Sequence, residues 1–165
     1  MKTIYLTRHA KSSWSDSSLR DFDRPLNKRG KRDAPFMANL LMGKGISPDR
    51  LISSPANRAL TTAGHFAEAF GISEADIEQR KEIYEAYPED LHQVVTSIDD
   101  KLNTVFLFGH NPGFTSYANR YATEYIPNMP TCSVVCLSSS ATSWAKIDPS
   151  NTVVKEFHFP KQYFT

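Results

Sequence analysis

Apolar residues along this chain fall in short blocks whose period alternates between that of a strand and that of a helix. Residues 3–7 (TIYLT) form a β-branched and aromatic run, the composition of a buried strand, and the run stops at Arg8-His9. A polar loop follows from Lys11 to about Asn27. Asn27, with Leu26 just outside it, can cap a helix predicted to reach about Met42. Phe36, Met37, Leu40 and Leu41 give that helix its apolar stripe, and Gly43 and Gly45 end it. Residues 50–53 read as a second strand. Ser54-Pro55 then opens a helix to about Phe70, with Pro in the first turn, Leu60, Ala63, Ala67 and Phe70 inward, and Gly71 closing it.

Residues 77–83 form a weaker extended segment, and residues 88–98 a helix with Leu91, Val94, Val95 and Ile98 on one side. Residues 104–109 (TVFLFG) are apolar throughout, which predicts a central parallel strand covered on both faces. His110 follows it, and Pro112 starts a helix to about Tyr121. In the tail, residues 133–137, 143–147 and 153–159 read as three strands joined by Ser- and Pro-rich turns. The alternation predicts one α/β domain over residues 1–165, a three-layer sandwich with a mostly parallel central sheet, helices on both faces and an antiparallel C-terminal extension. In open sheets of this kind, ligands bind beyond the carboxyl ends of the strands.

The residues at those ends are Arg8 and His9, Ser54 and Arg58, and His110 with Asn111. Two arginines and two histidines on one edge suit phosphoryl transfer through an imidazole. Arg8 and Arg58 offer planar forks that grip phosphate oxygens, and His110 adds a donor when protonated. A neutral His9 can attack phosphorus with one ring nitrogen while the other donates to a backbone carbonyl. Ser54-Pro55 would add the N–H groups of a helix N-terminus. A metal is not expected, because two adjacent arginines repel a dication and no carboxylate is fixed nearby by a motif. No cofactor is expected either.

Composition narrows the partners. A formal net charge of +1 gives no global field for nucleic acid or an anionic membrane, so attraction for an anion must be local. The N-terminus lacks a signal-peptide pattern and no stretch approaches a membrane span, so a soluble cytoplasmic protein is expected. Cys132 and Cys136 are too far apart along an extended segment to bridge each other and are expected to be reduced and buried.

These residues resemble the histidine phosphatase superfamily, also called phosphoglycerate mutase-like. Arg8-His9-Ala10 resembles its first motif, Ser53-Ser54-Pro55-Ala56-Asn57-Arg58-Ala59-Leu60-Thr61-Thr62-Ala63 its second, and Gly109-His110-Asn111-Pro112 its third in the form typical of short SixA-type phosphohistidine phosphatases. Lys11-Ser12-Ser13-Trp14, Asp23-Arg24-Pro25-Leu26 with Gly30, and Leu91 after Tyr84-Glu85-Ala86 match that short branch too; the final third carries no matching motif. The resemblance implies that His9 is the nucleophile and that Arg8, Arg58 and His110 form the phosphate pocket. Glu85 occupies the place of the general acid of larger members, with Glu82 and Glu89 as rivals.

The short loop after His9 implies an open site, which suits a phosphorylated protein side chain, as on a histidine phosphotransfer domain. A small phosphorylated metabolite and a non-catalytic phosphate-binding adaptor are the alternatives. Lys28-Arg29-Gly30-Lys31-Arg32 reads either as a dock for an acidic partner or as a solvated first helical turn. Trp14 with Phe22 forms either a lip for a partner or packing beneath the loop. His65, His92 and His158 carry no functional role in this reading.

Overall fold

The structure, a computed structural model, describes residues 1–164. Its centre is β1 (Lys2–Arg8) beside β4 (Thr104–Gly109), paired in parallel from Thr3↔Thr104 to Arg8↔Gly109. Side chains alternate across them. Ile4, Leu6, Val105 and Leu107 enter one core, and Tyr5, Phe106 and Phe108 the other. The remaining strands are β2 (Arg50–Ser53), β3 (Glu78–Gln79), β5 (Val134–Ser139) and β6 (Thr152–His158), in the sheet order β3-β2-β4-β1-β5-β6. The first four pair in parallel, and β5 and β6 extend the sheet antiparallel.

Four helices cover the faces. α1 (Lys28–Gly43) and α2 (Asn57–Phe70) bury Met37, Leu41, Ala63 and Phe66 on the Phe106 side. α3 (Pro88–Thr96) and α4 (Gly113–Asn119) bury Leu91, Val94, Phe114 and Tyr117 on the Leu107 side. Asn27 caps α1 as its sequence suggests, its Oδ1 accepting from Gly30 N at 2.9 Å. Cys132 and Cys136 are free and buried in the Phe106-side core.

Four elements depart from the sequence expectation. Residues 143–147 are not a strand. Trp144–Lys146 is a 3-10 turn in which Ser143 accepts from Ala145 N, while the Trp144 indole, fully buried, donates to Leu102 O at 2.8 Å. The apolar residues there are two inward anchors three apart, Trp144 and Ile147, a spacing that suits a turn rather than a pleat. α2 begins at Asn57, not at Ser54-Pro55, because Ser54 Oγ turns back to accept from Ala56 N. α4 likewise begins after Pro112, and the extended segment at 77–83 shortens to β3 plus a 3-10 turn, Lys81–Ile83.

Gly30 fixes how α1 approaches the loop after β1. A Cβ there would lie 2.2 Å from Lys11 O, a backbone atom that cannot step aside. Gly30→Ala is therefore expected to destabilise by about 1–3 kcal/mol, the usual cost of overpacking. Gly43→Ala, where a Cβ meets nothing within 4 Å, is expected to leave stability unchanged or slightly raised. Urea denaturation of the two variants checks the contrast.

Candidate active site

The sheet register lines up three strand ends. Thr7 of β1 is level with Phe108 of β4, which is level with Ser53 of β2. The residues that follow, Arg8-His9, Gly109-His110 and Ser54, therefore emerge side by side. His9 N donates to Gly109 O at 3.0 Å and Ser54 N to Phe108 O at 2.9 Å, so the backbone continues the sheet into the site.

His9 is 6% exposed, and its Nδ1 lies 2.7 Å from Ala10 O. A carbonyl only accepts, so Nδ1 carries the proton and the lone pair sits on Nε2. Arg58 Nε–H points at that lone pair from 3.4 Å. Thr62 ties the two segments together, accepting from Ala10 N and donating to Arg58 O. The rings of His9 and His110 are 5.2 Å apart. Ser54 Oγ accepts from Ala56 N and lies 2.8 Å from His110 Nε2, so its own proton is free to go to that nitrogen. His110 Nδ1 is then an N–H donor.

Among the described residues, three buried side-chain polar atoms have no partner, and two of them are His110 Nδ1 and Arg8 Nε. Orphaned buried donors are rare and call for a ligand or a function. Both here belong to groups that the sequence assigns to phosphate. Arg8 is otherwise held by Met129 O, which accepts from its Nη1 at 2.9 Å.

Electrostatics keep both imidazoles neutral. Burial pushes His9 down to about 3, with the Ala10 carbonyl opposing the shift and the charges of Arg58, Arg8 and Arg24 adding to it. Burial, His9, Arg58 and Arg8 bring His110 to about 3 as well. His110 in this state serves as a neutral donor, not as the imidazolium that sequence reasoning allowed. Burial and Arg58 also lower Arg8.

The other expected residues fall out differently. Glu85 is exposed, has φ 56°, and lines a cavity of about 410 Å³ together with His110, Tyr87 and Asn111. Glu82 is paired with Arg80 at 2.7 Å and Glu89 with Arg120, whereas Glu85 makes no ion pair among the described residues. Asn111 is committed to the fold: its Nδ2 donates to Met129 O and Asn128 Oδ1, and its Oδ1 accepts from Thr115. Among the described residues, no three His, Cys, Asp or Glu side chains group as metal ligands would.

Asp21 escaped the sequence reading. Its backbone O accepts from Arg58 Nη1 at 2.6 Å, and its carboxylate takes Arg58 Nη2 at 3.0 Å, Arg24 Nη2 at 3.2 Å and the Tyr84 hydroxyl at 2.7 Å. Burial pushes this carboxyl up, but the Tyr84 and Arg58 hydrogen bonds win and hold it at about 2. Tyr84 rises to about 12 through burial and Asp21. Arg24, 6% exposed, donates to Ser12 Oγ and stacks under the exposed Trp14 ring at 3.5 Å. The Asp-x-x-Arg spacing is visible in the chain, but Arg58 and Tyr84 lie 37 and 63 residues from Asp21, and only the fold shows the convergence.

A family model, the histidine phosphatase superfamily (branch 1), matches residues 4–106, more than half of the chain. The chain belongs to that superfamily. Within it, the chain is of the SixA-like kind. The Agrobacterium tumefaciens protein assigned as phosphohistidine phosphatase SixA shares 28% identity, with TM-score 0.81 over 96% of this chain and 98% of its own. The protein histidine phosphatase SixA solved with tungstate shares the fold at TM-score 0.81 and 18% identity, over 97% and 98% of the two chains. An uncharacterised chloroplastic protein of Arabidopsis thaliana is 32% identical over 151 residues, 87% of this chain and 69% of that one. Membership and these neighbours support phosphatase activity. Among the described residues, no helix is long and apolar enough to cross a membrane.

Two measurements test the electrostatics. Between pH 6.5 and about 3 the unfolded chain binds protons that the folded histidines refuse. Stability is therefore full above pH 6.5 and falls with pH through that window, by on the order of several kcal/mol in all. Urea midpoints from pH 7 to 4 should show the fall, and His9→Asn with His110→Asn should flatten it. Asp21→Asn should lower kcat/KM on an aryl phosphate about 10- to 100-fold by loosening Arg58, and should lower Tm as well, because the carboxylate that balances Arg58 and Arg24 is lost.

Proposed function

We propose that this protein is a metal-independent phosphatase that forms a covalent phosphohistidine on His9, acting on phosphohistidine in a protein. One observation carries the mechanism: a buried, neutral His9 has Nδ1 locked on Ala10 O and Nε2 facing Arg58. The Nε2 lone pair forms the new N–P bond as the bond from phosphorus to the leaving group breaks. The departing electron pair is taken up with a proton, from Glu85 or from water. Water then attacks phosphorus, and His9 Nε2 leaves with its lone pair restored. Arg8, Arg58 and the Nδ1–H of His110 bear the equatorial oxygens, where stabilisation of charge contributes most. Ser54 orients His110, and Asn111 acts through Met129, whose carbonyl holds Arg8.

The protein-substrate reading rests on the open site and its exposed aromatic rim, Trp14 at 73% and Tyr87 at 76%. Aromatic side chains are typical anchors for a protein partner. A small phosphomonoester is the second reading, favoured by the cavity of about 410 Å³ beside His110, a volume within the range of metabolite sites.

His9→Ala is expected to lower turnover of an aryl phosphate by about 1,000-fold or more, with EDTA present throughout, and to abolish an acid-labile, base-stable phosphoenzyme. Equal rates for wild type and variant would end the catalytic claim. Glu85→Gln should cost about 100-fold on an alkyl phosphate and little on phosphohistidine, whose ring nitrogen leaves well once protonated. Comparing kcat/KM on a histidine-phosphorylated protein with a panel of sugar phosphates separates the two readings. Strong preference for one sugar phosphate would overturn the first.

A further inference from the structure

The basic run at residues 28–32 supplies two arginines to a cleft outside the phosphate pocket. Arg29 and Arg32, each with a side chain 53% exposed, line a cleft between α1 and the C-terminal tail. Lys161, Phe159 and Phe164 form the opposite wall of a space of about 470 Å³. Arg32 stacks on the Phe164 ring at 4.1 Å, and Arg29 Nη2 donates to Thr131 Oγ1 at 3.0 Å. Asp33, 1% exposed as a residue, bridges the two arginines at 3.6 and 2.9 Å. One carboxylate against three cations leaves a local excess of two positive charges, in a chain whose formal net charge is only +1.

The position of the cleft matters as much as its charge. β5 pairs Val134 with Thr7 of β1 on one side and with His158 of β6 on the other. Phe159 and Lys161 therefore leave the sheet level with Arg8 and His9, two strands away, or about 10 Å at ordinary strand spacing. The loop at residues 129–132 is a shared wall. Met129 O holds Arg8 on one side, Thr131 holds Arg29 on the other, and Cys132 N donates to both Arg8 O and His9 O.

We infer that this cleft docks an acidic, aromatic-containing segment of the phosphoprotein substrate while its phosphohistidine enters the pocket at His9. The two arginines and Lys161 would meet carboxylates, and Phe159 and Phe164 an apolar side chain. Charge complementarity and the shared sheet edge favour a peptide segment over a small anion, because a chain can reach both places at once. The inference rests on the protein-substrate reading above.

The test uses a fluorescein-labelled peptide of alternating Glu and Phe, unphosphorylated, titrated into the full chain by anisotropy at low salt. The double variant Arg32→Gln/Lys161→Glu should weaken binding about tenfold or more, and added salt should weaken wild-type binding in the same direction. His9→Ala should bind like wild type, and aryl phosphate kcat/KM of the double variant should stay within about twofold. If the double variant loses Tm, Lys161→Glu alone, at an exposed position, carries the comparison. No binding by wild type, equal binding by the variant, loss of binding in His9→Ala, or displacement by equimolar pyrophosphate would each overturn the peptide dock. In a second arm, a histidine-phosphorylated protein substrate should show a raised KM and unchanged kcat in the double variant. If wild type binds the peptide but turns over no phosphoprotein, the functional reading fails while the dock stands.

Discussion

The site proposed above depends on one constraint: an imidazole that is to attack phosphorus must stay neutral, yet a phosphate demands cations beside it. Burial and cations both act against the imidazolium, so His9 and His110 remain bases while Arg8, Arg58 and Arg24 surround them. The cost is mutual repulsion among the arginines. Two unit charges 5 Å apart repel by about 3 kcal/mol at an effective dielectric near 20. Asp21 offsets that cost from the rim, where it takes Arg58 and Arg24 at once without adding a negative charge against the His9 ring. Placing the carboxylate one layer out balances the cluster, while Arg8 Nε and His110 Nδ1 keep no partner of their own.

That balance needs rigid supports, and the sheet supplies them. Because β1, β4 and β2 run parallel in register, three consecutive chain exits deliver His9, His110 and Ser54 to one line. The antiparallel partner contributes from the other side, since Arg8 N donates to Ser133 O and the 129–132 loop folds back onto Arg8 and His9. The final third of the chain, which carries no matching motif, therefore builds the far wall of the pocket. Met129 and Cys132 contribute mainly backbone atoms, which constrain the path of the chain more than the identity of its side chains.

The same distinction explains what could be read from the sequence. The central strands were legible because burial on both faces leaves a continuous apolar run, and α1 and α3 because burial on one face leaves an apolar stripe. His9 and His110 could be picked out because each directly follows a strand, and Arg58 because it opens the helix after β2. Asp21 was not, because its meaning lies in Arg58 and Tyr84, far along the chain. The segment at 143–147 misled because its aromatic and β-branched residues, Trp144 and Ile147, are strand formers by composition, while their burial is achieved from a 3-10 turn held by Trp144 on Leu102 O. The start of α2 moved because Ser54 is used to orient His110 and to cap Ala56, a local choice that a helix-start rule does not see.

The division of labour within the basic run 28–32 follows from helical geometry. Residues three apart share a face, so Arg29 and Arg32 turn together toward the tail and Asp33. Gly30, one residue on, turns toward Lys11 O, where no side chain fits. A run that is uniform by composition thus separates into a close backbone contact supporting the loop after His9 and a charged face lining the neighbouring cleft. Cations in a first helical turn oppose the helix dipole, a small cost here because the buried Asp33 carboxylate neutralises part of that charge one turn later. The interaction that makes the arginines tolerable is also the one that fixes their direction, and that direction turns them to the cleft on the far side of the 129–132 loop from Arg8.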